Sequence, residues 1–436
     1  MKCIGVVKRV GSGFVLRTFT TTYKIISGKM PINTYLTFNF QFSGKSPHEI
    51  EITDYNEPTQ LDMKNAMSEM AKKAESLKPI ILLPDSNNLI KNVNSFSQQL
   101  AKDLLQNKFF IVRFNNDTDG ISGGLAMSNI LGMHIQHNSP IYSTTDAEQD
   151  IIKLRSTKKG CVMLIDFGSN EESLDAIMML NANKIGIRII DHHPIVENVK
   201  QYATVLNSWE ITKTSDVTAG YLAAETARRL NLAEDEYATK LAKISLAGDK
   251  SPLLHGYDKD NKIMKIAACV DYLITYSSKS NTFDDYERLI FNEEALNTVY
   301  ELANEKKEQI IELLKKYSKL YKLETIKIVE IPLEKLKDFK SKSKICNLAL
   351  EAADELEPVV IIGYSSERII FRINKHAIDT GIRADNIIEK LKNMQLVETG
   401  GGHSVAATIN YNKKLGKLII KEILSIIKDM LADKKS

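Results

Sequence analysis

The chain is 436 residues long, which exceeds one typical hydrophobic core, so we expect two or three domains. Its hydrophobic share of 43% and charged share of 26% are those of an ordinary globular protein and exclude a disordered or fibrous chain. The net charge of +3 permits a polyanionic partner without requiring one, and the absence of any run of about 18 apolar residues predicts no membrane span.

The first 58 residues are predicted to form a small β domain. Short segments rich in β-branched and aromatic residues alternate in polarity and are separated by Gly, Ser and Pro. About five such strands favour a small barrel of the OB type, a fold that binds single strands or oligomers. One interpretation is a surface for base stacking and phosphate contact, formed by Arg17, Tyr23, Tyr35, Phe38 and Phe40. The favoured interpretation is that the aromatic side chains of this set form the core of the barrel.

Residues 75–290 are predicted to form an α/β domain with a parallel sheet. Near-continuous apolar strands bounded by helices are typical of a sheet that is covered on both faces. The predicted strands are "FFIVRF" from Phe109, "CVMLIDFG" from Cys161, "KIGIRIID" from Lys184 and "ATVLNSW" from Ala203. The predicted helices include "SGGLAMSNILGMHI", "EESLDAIMMLNAN" and "TAGYLAAETARRLNL".

Two further segments complete the predicted organisation. Residues 291–324 are rich in Glu and Lys at helical spacing, which indicates a long, solvated connecting helix. Residues 325–436 alternate strands ("IKIVEI", "PVVIIGY", "RIIFRIN") with helices and end in an amphipathic helix, which indicates a smaller α/β domain.

The cellular compartment is predicted from the four cysteines and the amino-terminal segment. Cys3, Cys161, Cys269 and Cys346 are far apart and form no CxxC pair, so we expect reduced thiols rather than disulfides or a zinc site. The segment "MKCIGVVKRVGSG" lacks the long apolar region of a signal peptide. We therefore predict a cytoplasmic protein.

Acids and imidazoles cluster where apolar runs end. "FFIVRF" leads into "NNDTDG", "CVMLI" into Asp166 and "KIGIRII" into "DHH", while "KISLAG" leads into Asp249. Because ligands bind beyond the carboxyl ends of parallel strands, we expect four strand ends to meet at one metal site. A single acid there is more often a helix N-cap, but capping rarely produces the whole set.

The residue types indicate which metal is bound. Carboxylates and imidazoles without thiolates suit Mn²⁺ or Mg²⁺, with Zn²⁺ or Co²⁺ as alternatives. Two ions about 3.5–4 Å apart could activate water and stabilise an in-line phosphoryl displacement. Asp166, arriving alone on a central strand, is the natural bridging ligand.

In the order "NNDTDG", "IDFG", "DHHP", "AGDKSP" and "GGGH", the motifs resemble those of the DHH-family phosphoesterases. The resemblance extends from about residue 75 to the end, and the C-terminal part is similar to the DHHA1 domain. Within the family the chain looks most like the archaeal RecJ-like exonucleases. These degrade single-stranded DNA or RNA with Mn²⁺ or Mg²⁺, and some associate with the GINS replication complex.

This resemblance implies roles for individual residues. The implied metal ligands are Asp117, Asp119, Asp166, His192 and Asp249. Asp191 would support the imidazoles, and His193 would contact the scissile phosphate. Family members commonly have His or Asp where this chain has Asn115, or His at the position of Arg113. Asn115 would then be a weak neutral ligand, and Arg113 would neutralise a carboxylate of the site.

The C-terminal segment would hold substrate phosphate. The resemblance implies this role for Arg372, Gly400, Gly401, Gly402 and His403. Glycines allow close backbone approach and present amides to an oxyanion, and a guanidinium offers bidentate phosphate contact. The alternative for "GGGH" is a flexible loop before a strand.

Three functions are compatible with these motifs. The first is a metal-dependent exonuclease on single-stranded DNA or RNA in DNA replication or repair, with GINS or other replisome proteins as partners. The second is a phosphoesterase for short oligonucleotides, 3′-phosphoadenosine 5′-phosphate or a cyclic dinucleotide. The third is a replication-complex scaffold with weak or absent catalysis, which would fit the changes at Asn115 and Arg113.

Overall fold

The computed structural model describes residues 1–28, 30–43, 46–82, 86–157, 159–254, 261–277, 281–337, 339–353, 356–402 and 404–433. The chain divides into two compact units, one of residues 1–274 with 280–293 and one of residues 275–279 with 294–436. The predicted α/β class, with a parallel sheet and an N-terminal β domain, is confirmed. The finer domain bounds stay predictions. Among the described helices, none has the length and apolar character needed to cross a membrane.

The N-terminal β domain is a closed five-stranded barrel with strand order β1-β2-β3-β5-β4. Its strands are β1 (Lys2–Val10), β2 (Gly13–Arg17), β3 (Thr22–Ser27), β4 (Tyr35–Phe42) and β5 (Glu49–Asn56). Alternate residues point inwards, so Leu16, Phe38, Phe40 and Ile50 form the core. Tyr23 packs against Phe40, with ring centroids 5.3 Å apart. The core interpretation of these aromatics is therefore correct.

The two remaining residues, Arg17 and Tyr35, make internal contacts instead of forming the alternative stacking surface. The Arg17 guanidinium donates to the Leu232 carbonyl oxygen at 2.6 Å, and the buried Tyr35 ring stacks on Phe19. The Asn231 side chain likewise donates to the Thr18 carbonyl oxygen at 3.0 Å. Arg17 and Asn231 therefore link the barrel to the neighbouring α/β layer, whereas the Tyr35 ring packs within the barrel itself.

All strands of the central sheet are parallel, in the order β10-β9-β8-β6-β7. They are β6 (Phe109–Asn115), β7 (Gly132–His137), β8 (Gly160–Ile165), β9 (Gly186–Asp191) and β10 (Thr204–Asn207). The chain leaves β6 for β7 on one side and then returns to β8 on the other. The carboxyl ends of β6 and β8 therefore form a topological switch point.

Helices cover both faces of this sheet, which explains why its inner strands are largely apolar. Helices α4 and α5 pack on one face, and α3 and α7 lie against β8 on the other. The helices of this part of the chain are α1 (Gln60–Ser76), α2 (Ser86–Leu105), α3 (Thr118–Ala126), α4 (Thr144–Leu154), α5 (Leu174–Ala182), α6 (Trp209–Thr212), α7 (Ala219–Arg229), α8 (Asp235–Gly248), α9 (Lys262–Tyr276) and α10 (Phe283–Phe291).

Two predictions in this layer are wrong. The segment "SGGLAMSNILGMHI" is not one helix, because α3 ends at Ala126 and "GMHIQH" is the edge strand β7. The apolar run before Asp249 is the end of helix α8, and Asp249 is its C-cap residue rather than a strand end. A short apolar run fits a buried helix as well as a buried strand, so periodicity alone could not separate them.

The second unit has a six-stranded mixed sheet in the order β11-β12-β13-β14-β16-β15. Its strands are β11 (Lys319–Leu323), β12 (Ile326–Pro332), β13 (Val359–Tyr364), β14 (Arg368–Ile373), β15 (Thr399–Gly402) and β16 (Ala406–Asn410). Its helices are α11 (Glu293–Tyr317), α12 (Lys342–Glu351), α13 (Lys375–Asp379), α14 (Ala384–Asn393) and α15 (Gly416–Asp433).

Apolar cores lie on both faces of this sheet. One core joins the sheet to α14 and α15, and the other joins it to α11 and α12. Ile310 and Leu314 of α11 are buried in the second core, so this charged helix packs against its unit. Helix α11 stops at Tyr317, because the following "KLYKL" pairs with β12 as an edge strand.

Candidate metal centre

The candidate metal centre lies at the carboxyl ends of the parallel strands, at the switch point. Asn115 ends β6, Asp166 directly follows β8, and Asp191 ends β9. Helices deliver Asp119 in the first turn of α3 and Asp249 at the end of α8. The topology therefore brings together side chains that are up to 134 positions apart in the printed sequence.

Asp117 is the N-cap residue of α3. Its Oδ1 accepts a hydrogen bond from the Gly120 backbone N–H at 2.8 Å, which satisfies a free donor of the first helical turn. Gly120 is required here, because a Cβ at this position would lie 2.3 Å from the Asn115 carbonyl oxygen. The turn therefore fixes Asp117 and presents its other oxygen to the strand ends.

Asp119 is fully buried and held by the amino terminus of α7. Its oxygens accept hydrogen bonds from the backbone N–H groups of Ala219 at 3.0 Å and Gly220 at 2.7 Å. The Ser245 hydroxyl of α8 also donates to it, at 2.5 Å. The unsatisfied N–H groups at a helix amino terminus bind carboxylate oxygens, so these contacts fix the orientation of this acid.

Asp166 has an unusual backbone conformation, with φ of +69°. This left-handed region costs an ordinary residue roughly 1–2 kcal/mol, and Asp and Asn tolerate it better than most. The backbone N–H of Asp166 donates to the Ile190 carbonyl oxygen at 2.8 Å, which anchors the turn to β9. Within the described part of the chain, its buried Oδ1 has no hydrogen-bond partner. Such an oxygen is suited to a cation.

His192 offers a nitrogen ligand to that cation site. Its Nδ1 lies 2.8 Å from the Ser215 carbonyl oxygen, which can only accept, so Nδ1 carries the proton. In the neutral ring, Nε2 then presents a lone pair. This atom lies 3.2 Å from Asp166 Oδ1, 3.5 Å from Asp249 Oδ2 and 3.8 Å from Asp119 Oδ2. Acceptor atoms from four residues thus converge on one point.

Asp191 organises the two imidazoles from behind. Its Oδ1 accepts hydrogen bonds from the backbone N–H groups of His192 at 2.8 Å and His193 at 3.2 Å. The same oxygen accepts from His193 Nδ1 at 2.8 Å. Although burial opposes ionisation, the neighbouring His193 lowers the pKa of Asp191 to about 2. The other ring nitrogen of His193 is directed away from this contact, and 46% of the side chain is exposed.

The carboxylates repel one another in the metal-free protein. Burial and the charge of Asp117 raise the pKa of Asp166 well above its ordinary value. Burial within the cluster and the charge of Asp119 raise the pKa of Asp249 to about 8, although about a third of that side chain is exposed to solvent. A divalent cation would relieve this repulsion.

The donor set fits a hard divalent ion. Two groups have ligand atoms that all lie within 4.8 Å of one another, namely Asp166 with His192 and His193, and Asp119 with His192 and Asp249. Carboxylate oxygens with imidazole nitrogens suit Mn²⁺ or Mg²⁺. Both groups include His192, whose Nε2 can bind only one ion, so the predicted pair of ions stays a prediction.

Comparison with known proteins identifies this part of the chain. Residues 108–248 match the family model described as the DHH family, N-terminal domain. These residues are similar to the DHH family. The predicted resemblance is thereby confirmed, and members of the family are phosphoesterases.

The DHH domain and its surroundings are similar to several known proteins. An uncharacterized protein of Methanocaldococcus jannaschii is 23% identical over 84% of this chain, and the match spans 58% of that protein's length. A solved DHH domain, described as coming from a member of a family of ribosomal proteins, has a TM-score of 0.73, with 20% identity over 84% of this chain and 97% of that one.

RecJ from Thermus thermophilus in complex with Mn²⁺ has a TM-score of 0.52, with 16% identity over 85% of this chain and 61% of that chain. At these identities, the structural likenesses show the fold alone. They support the DHH-domain architecture across most of the chain.

In the metal-free protein Asn115 is a donor to the carboxylates of the site, and its role as a weak oxygen ligand stays a prediction. Its amide nitrogen donates to Asp117 Oδ2 at 2.6 Å and to Asp166 Oδ2 at 3.1 Å. Its Oδ1 accepts from the Asn116 backbone N–H at 3.0 Å, which fixes the orientation of the carboxamide. Asn115 therefore partly offsets the repulsion between two carboxylates.

Arg113 of the DHH domain does not neutralise a carboxylate of the site. Its guanidinium forms a bidentate ion pair with Asp150 of α4, at 2.7 and 2.8 Å. The Tyr142 hydroxyl donates to the same carboxylate at 2.9 Å, and Asp146 lies 3.3 Å from the guanidinium. Arg113 is thus buried within a structural network, because its side chain points to the α4 face of the sheet.

We predict opposite effects of Asn115→Asp on the metal-free and metal-bound protein. The substitution replaces two hydrogen bonds to charged groups, each worth about 1.5–3 kcal/mol, by repulsion between carboxylates. The metal-free protein should therefore melt at a lower temperature, whereas Mn²⁺ should bind roughly tenfold more tightly, about 1.4 kcal/mol. Melting in EDTA and Mn²⁺ titration calorimetry test this. Asn138→Asp, an exposed control, should change neither quantity.

Several positioning residues were missed by sequence reasoning. Asn207 ends β10 opposite Asp191, and its amide donates to the His193 carbonyl oxygen at 3.0 Å. The Ser169 backbone N–H donates to Asp191, and Ser215 holds His192. A polar residue at the end of a fourth strand was the available signal for Asn207. The two serines lie in loops and carry no comparable pattern.

The predicted substrate-binding residues lie in the second unit. Arg372 on β14 donates to Asn347 and Ser343 of α12 and, at 2.7 Å, to the Phe371 carbonyl oxygen. Gly400, Gly401 and Gly402 belong to the edge strand β15 rather than to a flexible loop. Register places Arg372 opposite Ala406, and Gly402 opposite Ala407, at the same end of this sheet. His403 lies outside the described residues.

Proposed function

We propose that this protein is a metal-dependent exonuclease that hydrolyses terminal phosphodiester bonds of single-stranded DNA or RNA. The observation that carries the proposal is the convergence of His192 Nε2 with carboxylate oxygens of Asp119, Asp166 and Asp249. Similarity to the DHH family supports phosphoester hydrolysis, and the similarity in fold to RecJ supports a nucleic-acid substrate.

The residues fall into distinct roles under this proposal. Bound Mn²⁺ or Mg²⁺ would supply a Lewis acid and a water of lowered pKa. Asp117 would add to the ligands already named. Burial lowers the pKa of His193, but Asp191 outweighs this and raises it, which favours a protonated ring. The half-exposed imidazolium would then donate to a phosphate oxygen of the substrate.

The second unit would hold substrate phosphate. Arg372 retains guanidinium N–H groups beyond its three hydrogen bonds, and α12 fixes its orientation. The edge strand also contains Gly400, Gly401 and Gly402, which have no side chains that would keep a phosphate from their backbone amides. Both features support phosphate binding, with His403 added by its motif. A cytoplasmic location, a role in DNA replication or repair and association with a replication complex such as GINS stay predictions.

A cleavage assay with an end-labelled single strand tests the proposed function. Strands of DNA and of RNA, labelled at either end, are incubated with Mn²⁺, Mg²⁺ or EDTA. We expect mononucleotide release from one end with metal and none in EDTA, and Asp166→Asn serves as the control. If long strands survive while di- to tetranucleotides are cleaved, the small-substrate phosphoesterase replaces the exonuclease. If nothing is cleaved with either metal, the scaffold interpretation is favoured.

A further inference from the structure

A second concave site lies at the opposite end of the parallel sheet. A cavity of about 370 Å³ opens between the amino ends of β8 and β9 and the carboxyl ends of α4 and α5. The strand β8 has six residues, so at about 3.3 Å per residue the cavity is roughly 20 Å from the metal centre. The two sites are therefore distinct.

The walls of this cavity are strongly basic. Four of the described lining residues are cationic (Lys108, Arg155, Lys159 and Lys184), and none of the described lining residues is acidic. Thr157 and Asn183 add neutral polar groups, and the remaining wall is apolar and glycine-rich. The volume falls in the range of about 300–1,000 Å³ that is typical of small-molecule sites, although this wall is more polar than is usual for them.

Nearby acids do not cancel this charge. Lys108 lies 2.6 Å from Asp103, but the same buried carboxylate is also 2.6 Å from Arg188. One acid thus faces two cations. The positive charge of Lys108 is therefore not cancelled by Asp103.

Helix ends explain only part of the basic character. Arg155 is the C-cap residue of α4, and Lys184 follows the C-cap residue of α5, where cations stabilise free carbonyl groups. Lys108 and Lys159 belong to neither helix and precede β6 and β8. Stabilisation of the two helix ends therefore accounts for two of the four cations of the wall, and the other two have no such role.

We propose that this basic cavity binds a phosphate ester of nucleotide size. Cations in a concave wall recognise phosphate, and the apolar wall of Ile151, Leu154 and Ile185 suits a sugar or base. The ligand is either a free nucleotide or a nucleotide unit within a strand. This inference is independent of the proposed exonuclease activity, because binding here requires neither metal nor cleavage.

Binding in EDTA tests the cavity separately from catalysis. Without metal, the carboxylates of the metal centre repel phosphate, so binding there is suppressed. The variant Arg155→Gln/Lys159→Gln/Lys184→Gln removes three exposed cations of the cavity. The matched control, Lys64→Gln/Lys72→Gln/Lys91→Gln, removes three exposed cations of α1 and α2. The probes are adenosine monophosphate and a fluorescent single strand of about ten nucleotides, a length within known single-strand site sizes.

We expect the cavity variant to bind at least one probe about tenfold more weakly, while the control variant binds like the wild type. For the strand, the dependence of log affinity on log salt should fall by about two for three lost contacts. An effect on adenosine monophosphate identifies a free nucleotide as ligand, and an effect on the strand alone identifies a nucleic-acid backbone. Equal losses in both variants, or no wild-type binding of either probe, would overturn the proposal.

Discussion

The substitution Asp166→Asn is expected to reduce metal-dependent hydrolysis by more than 100-fold while stabilising the metal-free protein. The carboxylate oxygen at 3.2 Å from His192 Nε2 is lost, and outer-shell changes alone typically cost about 10- to 100-fold. Asparagine tolerates the left-handed backbone at this position, so the turn itself should persist. A loss of hydrolysis would therefore result from the missing negative charge and not from a disrupted turn.

The stability effect follows from the sign of the pKa shift. The pKa of Asp166 is raised in the folded protein, so ionisation of this group destabilises the fold as pH rises above its ordinary value. A neutral amide removes that penalty at pH 7. Relief of roughly 1 kcal/mol would raise Tm by about 1–2 °C in EDTA for a unit of this size.

Thermal melting in EDTA and in Mn²⁺, with initial cleavage rates, provides the measurement for Asp166→Asn. Wild-type protein should gain stability from Mn²⁺, and the variant should gain little. An active variant, or one that melts at a lower temperature than wild type in EDTA, would contradict the role of Asp166 as a buried ligand held against repulsion.

Mg²⁺ is expected to stabilise the protein more at pH 8 than at pH 6. A ligand present at 100 times its Kd stabilises a protein by about 2.7 kcal/mol. The pKa of Asp249 is raised to about 8, so below that pH a metal ion must displace its proton. Stability of the metal-free protein should fall as pH rises from about 4 towards 8, whereas metal affinity should rise by up to about tenfold per pH unit.

Melting temperatures across this pH range, with Mg²⁺ and with EDTA, measure the difference. Asp249→Asn is the matched control, because it removes the titrating group and should flatten the pH dependence. A stabilisation by Mg²⁺ that is equal at pH 6 and pH 8 would show that the carboxyl group of Asp249 takes no part in metal binding.

The primary sequence determined the elements that follow from neighbouring residues. Alternating and near-continuous apolar runs predicted the barrel strands, β6, β8 and β9, because side-chain periodicity is a local property. The acids and imidazoles after these strands could be placed at one edge, since the carboxyl ends of parallel strands meet there. The predictions failed for short runs that fit both helical and strand periodicity, as in "GMHIQH" and the end of α8.

Only the tertiary structure decided the partners of individual side chains. Asp119 is held by backbone amides about 100 positions away, and Arg113 pairs with Asp150 of another element. Asn115 proved to be a donor to carboxylates, a role that its residue type does not distinguish from that of a ligand. These outcomes depend on the direction in which each side chain leaves its element and on the groups that packing brings opposite it. Nearby sequence specifies neither, so the chemistry of the site could be predicted while its hydrogen bonds could not.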